Sequence, residues 1–241
     1  MSRRMASRNV SFTDDVFLRA LLMPVSLLLR LSVFLMLVLV ASWLVYWVCA
    51  TWVWADGVAH LRLLIVEEYR RGVILVAMQG VGGDAISAPA NALYWLLFKA
   101  SGIHAMGVRF ADPAALSIPD TVARSQYIGS YEFIQVAMAG TQLVGVRLAI
   151  LARWLPVGAL LYLVAIIDGL VQRQLRARGG GSESSSLYHR AKYLQVVIGM
   201  GAIAAVSVWP APINWRVVGF ALCVALALAG RVQAGYYKKY L

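Results

Sequence analysis

The longest uncharged run in the sequence, residues 31–55, constrains the fold more than any other feature. Its 25 residues lie between Arg30 and Asp56. As an α-helix rising about 1.5 Å per residue, the run would be about 37 Å long, which exceeds the roughly 30 Å hydrocarbon core of a bilayer. Aromatic residues crowd its second half, as in an interfacial belt: Trp43, Tyr46, Trp47, Trp52 and Trp54. We therefore expect a transmembrane helix rather than a buried core helix.

Composition and charge agree with an all-α, polytopic membrane protein. Hydrophobic residues make up 61% of the chain, and the mean hydropathy is +0.73. The formal charge is +11. In a membrane protein such an excess usually marks cytoplasmic loops, so no direct contact with nucleic acid is expected. Cys49 and Cys223 lie in apolar runs and are predicted to be small buried side chains, without a disulfide framework or metal motif.

The apolar pattern predicts about four transmembrane helices, with a small helical extracytoplasmic domain between the first and the second. The leader is interpreted as part of an uncleaved signal anchor. The predicted order is a basic cytoplasmic leader (1–30), transmembrane helix 1 (31–55), an extracytoplasmic helical segment (56–153), transmembrane helix 2 (154–171), a basic cytoplasmic loop (172–193), transmembrane helices 3 (194–209) and 4 (213–230), and a cytoplasmic tail (231–241).

The distribution of charge decides the number of crossings. The net charge is +3 over residues 1–30, −1 over residues 56–132 and +4 over residues 172–193. A further span at 133–152 would carry Arg147 in mid-run and would place the +4 loop outside. Because basic loops stay in the cytoplasm, we expect one crossing between the first helix and this loop. Both termini are then cytoplasmic in a bacterial inner membrane.

Local signals divide the extracytoplasmic segment into short helices. A helix is predicted over residues 61–78, followed by a break at Gly80, Gly82 and Gly83. A second helix is predicted from Pro89 to just before Gly102. A third is predicted to start near residues 117–120, where a Ser cap, a Pro and an acid follow one another. The glycine-rich break lacks the GK[ST] ending of a phosphate loop, so we interpret it as an elbow.

No constellation of catalytic residues stands out. Asp168 is the carboxylate inside a predicted span, which makes it a functional candidate, but pairing with Arg173 or another Arg at the cytoplasmic edge is an alternative. His60, His104 and His189 lie in separate segments without ligand spacing. We therefore predict no catalytic residue, no cofactor and no metal site, and expect a non-enzymatic protein.

Small residues predict where two transmembrane helices pack. They recur at four-residue spacing on the predicted third and fourth spans, where they would let the helices approach closely in lipid. These helix-packing candidates are Gly201 and Ala205 on the third span and Ala221, Ala225 and Ala229 on the fourth. The two spans are expected to form a tight hairpin around the turn at Pro210 and Pro212.

One stretch of about 26 residues, 167–192, resembles a known family. It contains IDGLVQRQLR at 167–176, GGGSESS at 179–185 and YHRAK at 188–192. These motifs resemble the integrating-conjugative-element membrane proteins, a domain of unknown function typically encoded beside the type IV coupling ATPase in bacterial conjugation clusters. The resemblance implies a non-enzymatic inner-membrane accessory subunit of a conjugative type IV secretion apparatus that contacts this ATPase.

The same stretch supplies a candidate docking surface. The glycines and serines at 179–186 are expected to form a mobile entry to a helix that continues into the third span. The candidate docking residues lie in and after this entry: Glu183, Tyr188, His189, Arg190 and Lys192. The competing explanation is that Arg190 and Lys192 only anchor the helix at anionic headgroups. The expected partners are membrane lipids and proteins of a type IV secretion complex, and a homo-oligomer is left open. The alternative function is a small membrane transporter or membrane-embedded enzyme, which would need polar residues lining a cavity at mid-membrane depth.

Overall fold

The computed structural model describes residues 3–110, 118–179 and 185–237, with side chains for 24–110, 123–179 and 186–237. The protein is all-helical, as predicted. In the described residues the helices are α1 (Arg3–Val48), α2 (Val58–Ala77), α3 (Asp84–Tyr94), α4 (Ile103–Phe110), α5 (Ile118–Gly129), α6 (Tyr131–Ala152), α7 (Leu155–Arg178), α8 (Ser185–Val208) and α9 (Trp215–Gly235). Short π-helical turns extend α1 and α3 to Val53 and Lys99 respectively.

The chain forms two compact units, Met1–Ala41 and Ser42–Leu241. The first unit is the leading part of α1. It has Pro24 inside the helix, and large apolar side chains such as Leu27, Leu29 and Leu37 are exposed. The second unit contains the end of α1 and all of the other helices.

Helix α6 is the centre of the second unit. Twelve of its residues are buried, and it packs against α2 on one side and α3 on another. One core cluster joins Ile150 of α6 to Val76, Ile86 and Trp215. Another joins Leu143 of α6 to Tyr46, Leu61 and Leu64. At Gly145 an added Cβ would lie 2.5 Å from the Cα of Ala90, so α3 and α6 are in backbone contact.

Helices α7, α8 and α9 form a second packing group. α9 contacts both α7 and α8. Trp154 packs on Gly219 near the start of α9, and Gly169 packs on the backbone of Arg231 near its end. α7 therefore runs parallel to α9 along most of its length. The turn between α8 and α9 contains Pro210 and Pro212, as predicted, and the Asn214 side chain caps α9 by accepting a hydrogen bond from Val217 N.

Within the part of the chain that the structure describes, five helices are long and apolar enough to cross a membrane: Pro24–Val53, Tyr131–Ala152, Leu155–Arg178, Ser186–Val208 and Trp215–Gly235. Four of them overlap the predicted spans, each leaving out one or two residues at one end of the span. The fifth, Tyr131–Ala152, covers the segment that charge parity argues against as a span. Since length and composition alone define these candidates, the predicted four crossings and the domain boundaries stay predictions.

Local predictions agree with most helix limits in the segment 56–153. The helix predicted over 61–78 is α2, and the chain breaks at Gly80, which has φ +72°. The predicted start at Pro89 is wrong, since α3 begins at Asp84 and includes this proline. Asp84 in the first turn favours the earlier start, and the helix continues through Pro89. The helix predicted near 117–120 is α5, but Ser117 lies outside the described residues.

The predicted stripe of small residues lies away from the closest helix approach. Gly201 and Ala205 are exposed, and a Cβ added to Gly201 would meet nothing within 4 Å. Ala221 is exposed, Ala225 is half-buried and Ala229 is buried. The close approaches lie instead between α7 and α9, at Gly169, Gly219 and Gly230. α9 carries a second stripe of small residues (Gly219, Cys223 and Ala227), all of which are buried, whereas only Ala229 of the predicted stripe is buried.

Candidate functional site: a buried ion pair and a basic bundle end

A buried ion pair joins α2 to α6. Arg147 Nη2 lies 3.0 Å from Glu68 Oε1, and both side chains are fully buried. The last four carbonyl groups of α8 have no partner within the helix, and the carbonyl groups of the turn that follows it also lack helical partners. Arg147 donates to three of them, in Val206, Trp209 and Ala211. One guanidinium therefore satisfies both a carboxylate and the end of α8.

Glu68 accepts hydrogen bonds from the residues that follow this turn. Its Oε1 accepts a hydrogen bond of 2.9 Å from Ile213 N, and its Oε2 accepts one of 2.6 Å from Trp215 Nε1. Arg71, one helical turn further along α2, donates to the Ile213 carbonyl at 2.9 Å and pairs with Glu67. Burying a carboxylate is costly unless it is paired and hydrogen-bonded, and here it is both. The arrangement positions the α8–α9 turn against α2 and α6.

Tyr46 completes this buried cluster. Its hydroxyl accepts a hydrogen bond of 3.2 Å from Arg147 Nη1 and donates one to the Ser207 carbonyl. Sequence reasoning misses the cluster, because it uses Arg147 only as an argument against a span at 133–152. The signal is present in the sequence: a basic residue in an apolar run needs an acidic partner, and the Pro210–Pro212 turn leaves carbonyls that need donors.

The opposite end of the α7–α8–α9 group is basic and aromatic. Arg176 Nη2 donates to the Gly235 carbonyl at 2.6 Å, and its guanidinium lies 4.0 Å from the Tyr236 ring centroid. The Arg173 guanidinium lies 5.8 Å from the Tyr237 ring centroid. Cations over aromatic faces are attracted by the ring quadrupole. These contacts fix the last turn of α7 against the end of α9.

Asp168 pairs with a basic residue at this end, one of the two alternatives left open by the sequence. Its partner is Arg231 on α9, and Gln172 also donates to its Oδ2 at 3.3 Å. Both charged side chains are close to half exposed, at 47% and 42%. Pairing of such exposed groups contributes little to stability, so this pair mainly orients the two helices.

Four of the five predicted docking residues lie at the start of α8. Tyr188 is half-buried, and its ring lies 5.7 Å from that of Tyr237 and 5.3 Å from that of His189. His189, Arg190 and Lys192 are exposed, whereas Ala191 between them is buried. Glu183 lies outside the described residues. The start of α8 therefore presents one exposed polar face and rests on α9 through the other.

Each histidine of the chain has its own aromatic neighbour. His60 stacks on Trp54 at 4.7 Å, and the His104 Nδ1 shares a hydrogen bond of 2.9 Å with the Tyr94 hydroxyl. Among the residues that the structure describes, no group of three His, Cys, Asp or Glu side chains could hold a metal ion. Burial raises the pKa of the Tyr94 phenol. His104 and Tyr94 line a cavity of about 570 Å³ beside α6.

Comparison with known proteins shows the process to which the chain contributes. No curated protein and no solved structure matches it. One family model, described as IncC plasmid conjugative DNA transfer protein DtrJ-like, matches residues 52–238. This match confirms the conjugation-associated family expected from residues 167–192 and indicates involvement in conjugative DNA transfer. The chain belongs to the DtrJ-like family of conjugative DNA transfer proteins.

Proposed function

We propose that the protein is a non-enzymatic accessory subunit of a conjugative type IV secretion apparatus in the bacterial inner membrane. In this proposal it contacts the coupling ATPase through the start of α8. The observation that carries it is the exposed face formed by His189, Arg190 and Lys192, in a chain that belongs to a conjugative DNA transfer family. Tyr188 holds this face in place by its contact with Tyr237.

The proposed topology has four crossings, by α1, α7, α8 and α9, with both termini in the cytoplasm. Helices α2 to α6 then form the extracytoplasmic unit. Two observations support this arrangement. The +4 loop stays inside by the charge rule. The described core contacts of α6 with the α8–α9 hairpin lie at its tip, at Val206, Ile213 and Trp215, so α6 meets the end of the hairpin instead of lying beside it.

Reporter fusions test this topology. Alkaline phosphatase, which is active only outside the cytoplasm, is fused after Ala88 in one variant and after Gly181 in another. We expect activity at Ala88 and none at Gly181. A third fusion after Arg153 separates four crossings from five, because an α6 that crossed the membrane would place Arg153 in the cytoplasm. Inactivity at Arg153 together with activity at Gly181 would contradict the proposal.

The docking surface is proposed because its exposed residues suit a protein interface. Tyrosine and arginine are enriched among residues that dominate binding energy. Buried Ala191 and half-buried Tyr188 hold the helix start, so the exposed side chains project from a fixed backbone. The positive charge at the start of α8 would contact an acidic protein partner and anionic headgroups, without direct contact with nucleic acid.

Conjugation assays separate docking from lipid anchoring. The double variant Tyr188→Ala/His189→Ala keeps Arg190 and Lys192, so anchoring alone predicts normal transfer. Docking predicts a loss of transfer of about tenfold or more, since interface anchors each contribute more than about 1 kcal/mol. Gln174→Ala/Leu175→Ala, two exposed changes at the same end of α7, serves as the matched control. Membrane abundance is measured by immunoblot for every variant.

Partner recovery completes the test. The tagged protein is purified from conjugating cells, and co-purified proteins are identified by mass spectrometry. We expect the coupling ATPase with the wild type and the control, and its loss from the Tyr188→Ala/His189→Ala variant. Wild-type transfer and wild-type recovery of partners in that variant would refute docking at α8.

The alternative of a small transporter requires unsatisfied polar groups around a cavity at mid-membrane depth. Three described polar side chains, one on each helix of the α7–α9 group, are Tyr162, Gln195 and Gln233. Tyr162 donates to Gln195 Oε1 at 3.0 Å, and Gln195 donates to Gln233 Oε1 at 2.7 Å. These groups are engaged with one another, so we favour a structural role for them, one that ties the three helices together.

A further inference from the structure

A groove of about 260 Å³ runs between α7 and α8, and α9 forms its floor. Its walls are largely apolar, with Ile166 and Leu170 on α7 and Ala234 on α9. Gly230 lies under the Tyr162 ring, where a larger side chain would not fit. The groove is therefore built into the packing of the three helices.

The two ends of the groove differ in chemistry. At one end, hydrogen bonds connect Tyr162, Gln195 and Gln233 across all three helices. At the other, Tyr188 and Tyr237 line the groove, and the Arg173 guanidinium lies 5.8 Å from the Tyr237 ring. A ligand that enters from the second end would meet two phenols first, with a guanidinium beside one of them, and apolar side chains beyond.

We propose that this groove binds one anionic phospholipid. The phosphate lies at Arg173, Tyr188 and Tyr237, and part of one acyl chain lies along Ile166 and Leu170. The inference rests on the proposed membrane location of α7, α8 and α9. The groove shares Tyr188 with the docking surface, whereas His189, Arg190 and Lys192 do not line it.

Charge complementarity identifies the occupant. The described basic residues at this end include Arg173, Arg176, Arg178 and Arg190, and the acidic Asp168 is already paired with Arg231. Basic pockets between transmembrane helices on the cytoplasmic side bind anionic headgroups, which fits the proposed orientation.

Shape excludes a partner helix. Two packed helices lie about 8–10 Å apart axis to axis, and a groove of this volume is too small to seat another helix between α7 and α8. An acyl chain is slender enough to fit. It also reaches the site directly from the lipid phase, since large apolar side chains on the outer surface of α7, such as Leu163 and Ile167, are exposed.

Lipid titration of the full-length protein tests the proposal. The purified protein in detergent is titrated with phosphatidylglycerol or with phosphatidylcholine of the same acyl chains, and bound lipid is counted by native mass spectrometry. We expect one phosphatidylglycerol bound in preference to phosphatidylcholine. Arg173→Gln should weaken phosphatidylglycerol binding by about fivefold, the effect of one basic residue near a headgroup. Arg178→Gln, an exposed change outside the groove, should leave it unchanged.

A second pair of variants tests the groove without changing charge. Leu170→Trp should block binding of both lipids, and Leu163→Trp, on the outer surface of α7, should not. Circular dichroism confirms that each variant is folded. Equal wild-type affinity for both lipids, or equal effects of the two members of either pair, would overturn the lipid site. So would loss of a co-purified protein from Leu170→Trp with normal lipid binding, which would indicate a protein occupant.

Fractionation of cells that express the wild type keeps the two proposals apart. Recovery with membranes, combined with failed lipid binding, removes only the lipid site. Recovery in the soluble fraction contradicts the proposed function itself and removes the basis of the lipid site as well.

Discussion

Helices α6 and α7 follow each other in the chain, and both are long and apolar enough to cross a bilayer, yet their surroundings differ completely. In the most apolar 18-residue stretch of α6, 67% of the residues are buried inside the protein, whereas in α7 the fraction is 6%. α6 uses its apolar surface against α2, α3 and the α8–α9 turn. α7 packs on α9 with one face and exposes apolar side chains elsewhere, including Leu160, Leu163 and Val164. Similar hydropathy can therefore reflect burial by protein or, as we propose for α7, burial by lipid.

The charged side chains of the two helices also differ in their surroundings. Arg147 of α6 is fully buried and its guanidinium meets Glu68 and three carbonyl groups. Asp168 of α7 pairs with Arg231 where both are close to half exposed. A charge in the centre of α6 is tolerated because the protein supplies its partners. A charge near the end of α7 needs no such enclosure, since its side chain is close to half exposed.

The largest expected effect comes from breaking the buried pair of α6. Arg147→Met leaves the Glu68 carboxylate buried without its cation and should lower the free energy of unfolding by about 3–5 kcal/mol. Unfolding in detergent micelles, followed by circular dichroism, measures the loss. Adding Glu68→Gln removes the unpaired charge and keeps an acceptor for the Ile213 N–H, so the double variant should be more stable than Arg147→Met. A double variant that is less stable than Arg147→Met would show that Glu68 does not depend on Arg147 for neutralisation.

The next comparison uses one substitution in both helices. Leu143→Ala in α6 empties a fully buried site and should cost about 2–5 kcal/mol of unfolding free energy. Leu160→Ala in α7 changes a side chain that is 66% exposed and should cost less than about 0.5 kcal/mol in the same micelles. Equal losses would mean that α7 is covered by protein, for example in a homo-oligomer, and the contrast between the helices would disappear.

Substitution of glycine by alanine compares how closely the backbones of α6 and α7 approach their neighbouring helices. Gly145→Ala in α6 places a methyl group 2.5 Å from the Ala90 Cα and should cost about 1–3 kcal/mol, because α3 must move. Gly158→Ala in α7 brings the new methyl group 3.2 Å from the Cys223 Sγ. That milder crowding is offset by the better helix propensity of alanine, by up to about 1 kcal/mol. Thermal unfolding of the two variants should therefore show a lower midpoint for Gly145→Ala and little change for Gly158→Ala.

The smallest effect is expected at the exposed ion pair. Asp168→Asn removes the charge that faces Arg231 and should cost less than about 1 kcal/mol, the usual range for exposed pairs. The same variant should become insensitive to added salt, because salt screens the wild-type pair. Unfolding at low and high ionic strength measures both the loss of stability and its dependence on salt. A loss as large as that of Arg147→Met would indicate that Asp168 is buried in the assembled protein.

Local sequence patterns predict most of the secondary structure. The uncharged run at 31–55, the glycine break after α2 and the proline turn before α9 each depend on nearby residues, and each is observed. The predicted start of α3 is five residues late, because an interior proline is interpreted as a helix start. Where an interaction extends only a few residues along the chain, helix geometry and turn chemistry are sufficient to predict it.

Local sequence patterns predict only part of the candidate sites. Tyr188, His189, Arg190 and Lys192 are identified from a motif of adjacent residues, and they lie together at the start of α8. The contact of Tyr188 with Tyr237 could not be read from spacing, because the two residues belong to different segments of the chain. The buried stripe of α9 is also missed. Two stripes of small residues occur on that helix, and periodicity does not say which one faces α7.

By itself, the sequence determined that the chain is helical and apolar, where its helices break, and that it resembles conjugation proteins. Only the tertiary structure decided which apolar helix is covered by protein and where the charge in its centre finds a partner. Arg147 and Glu68 are 79 positions apart, and the Val206 carbonyl in the turn held by them lies 59 positions further along the chain. Hydropathy reports how unfavourable it is to expose a segment to water. It does not distinguish between the protein interior and lipid, because either one removes the segment from water.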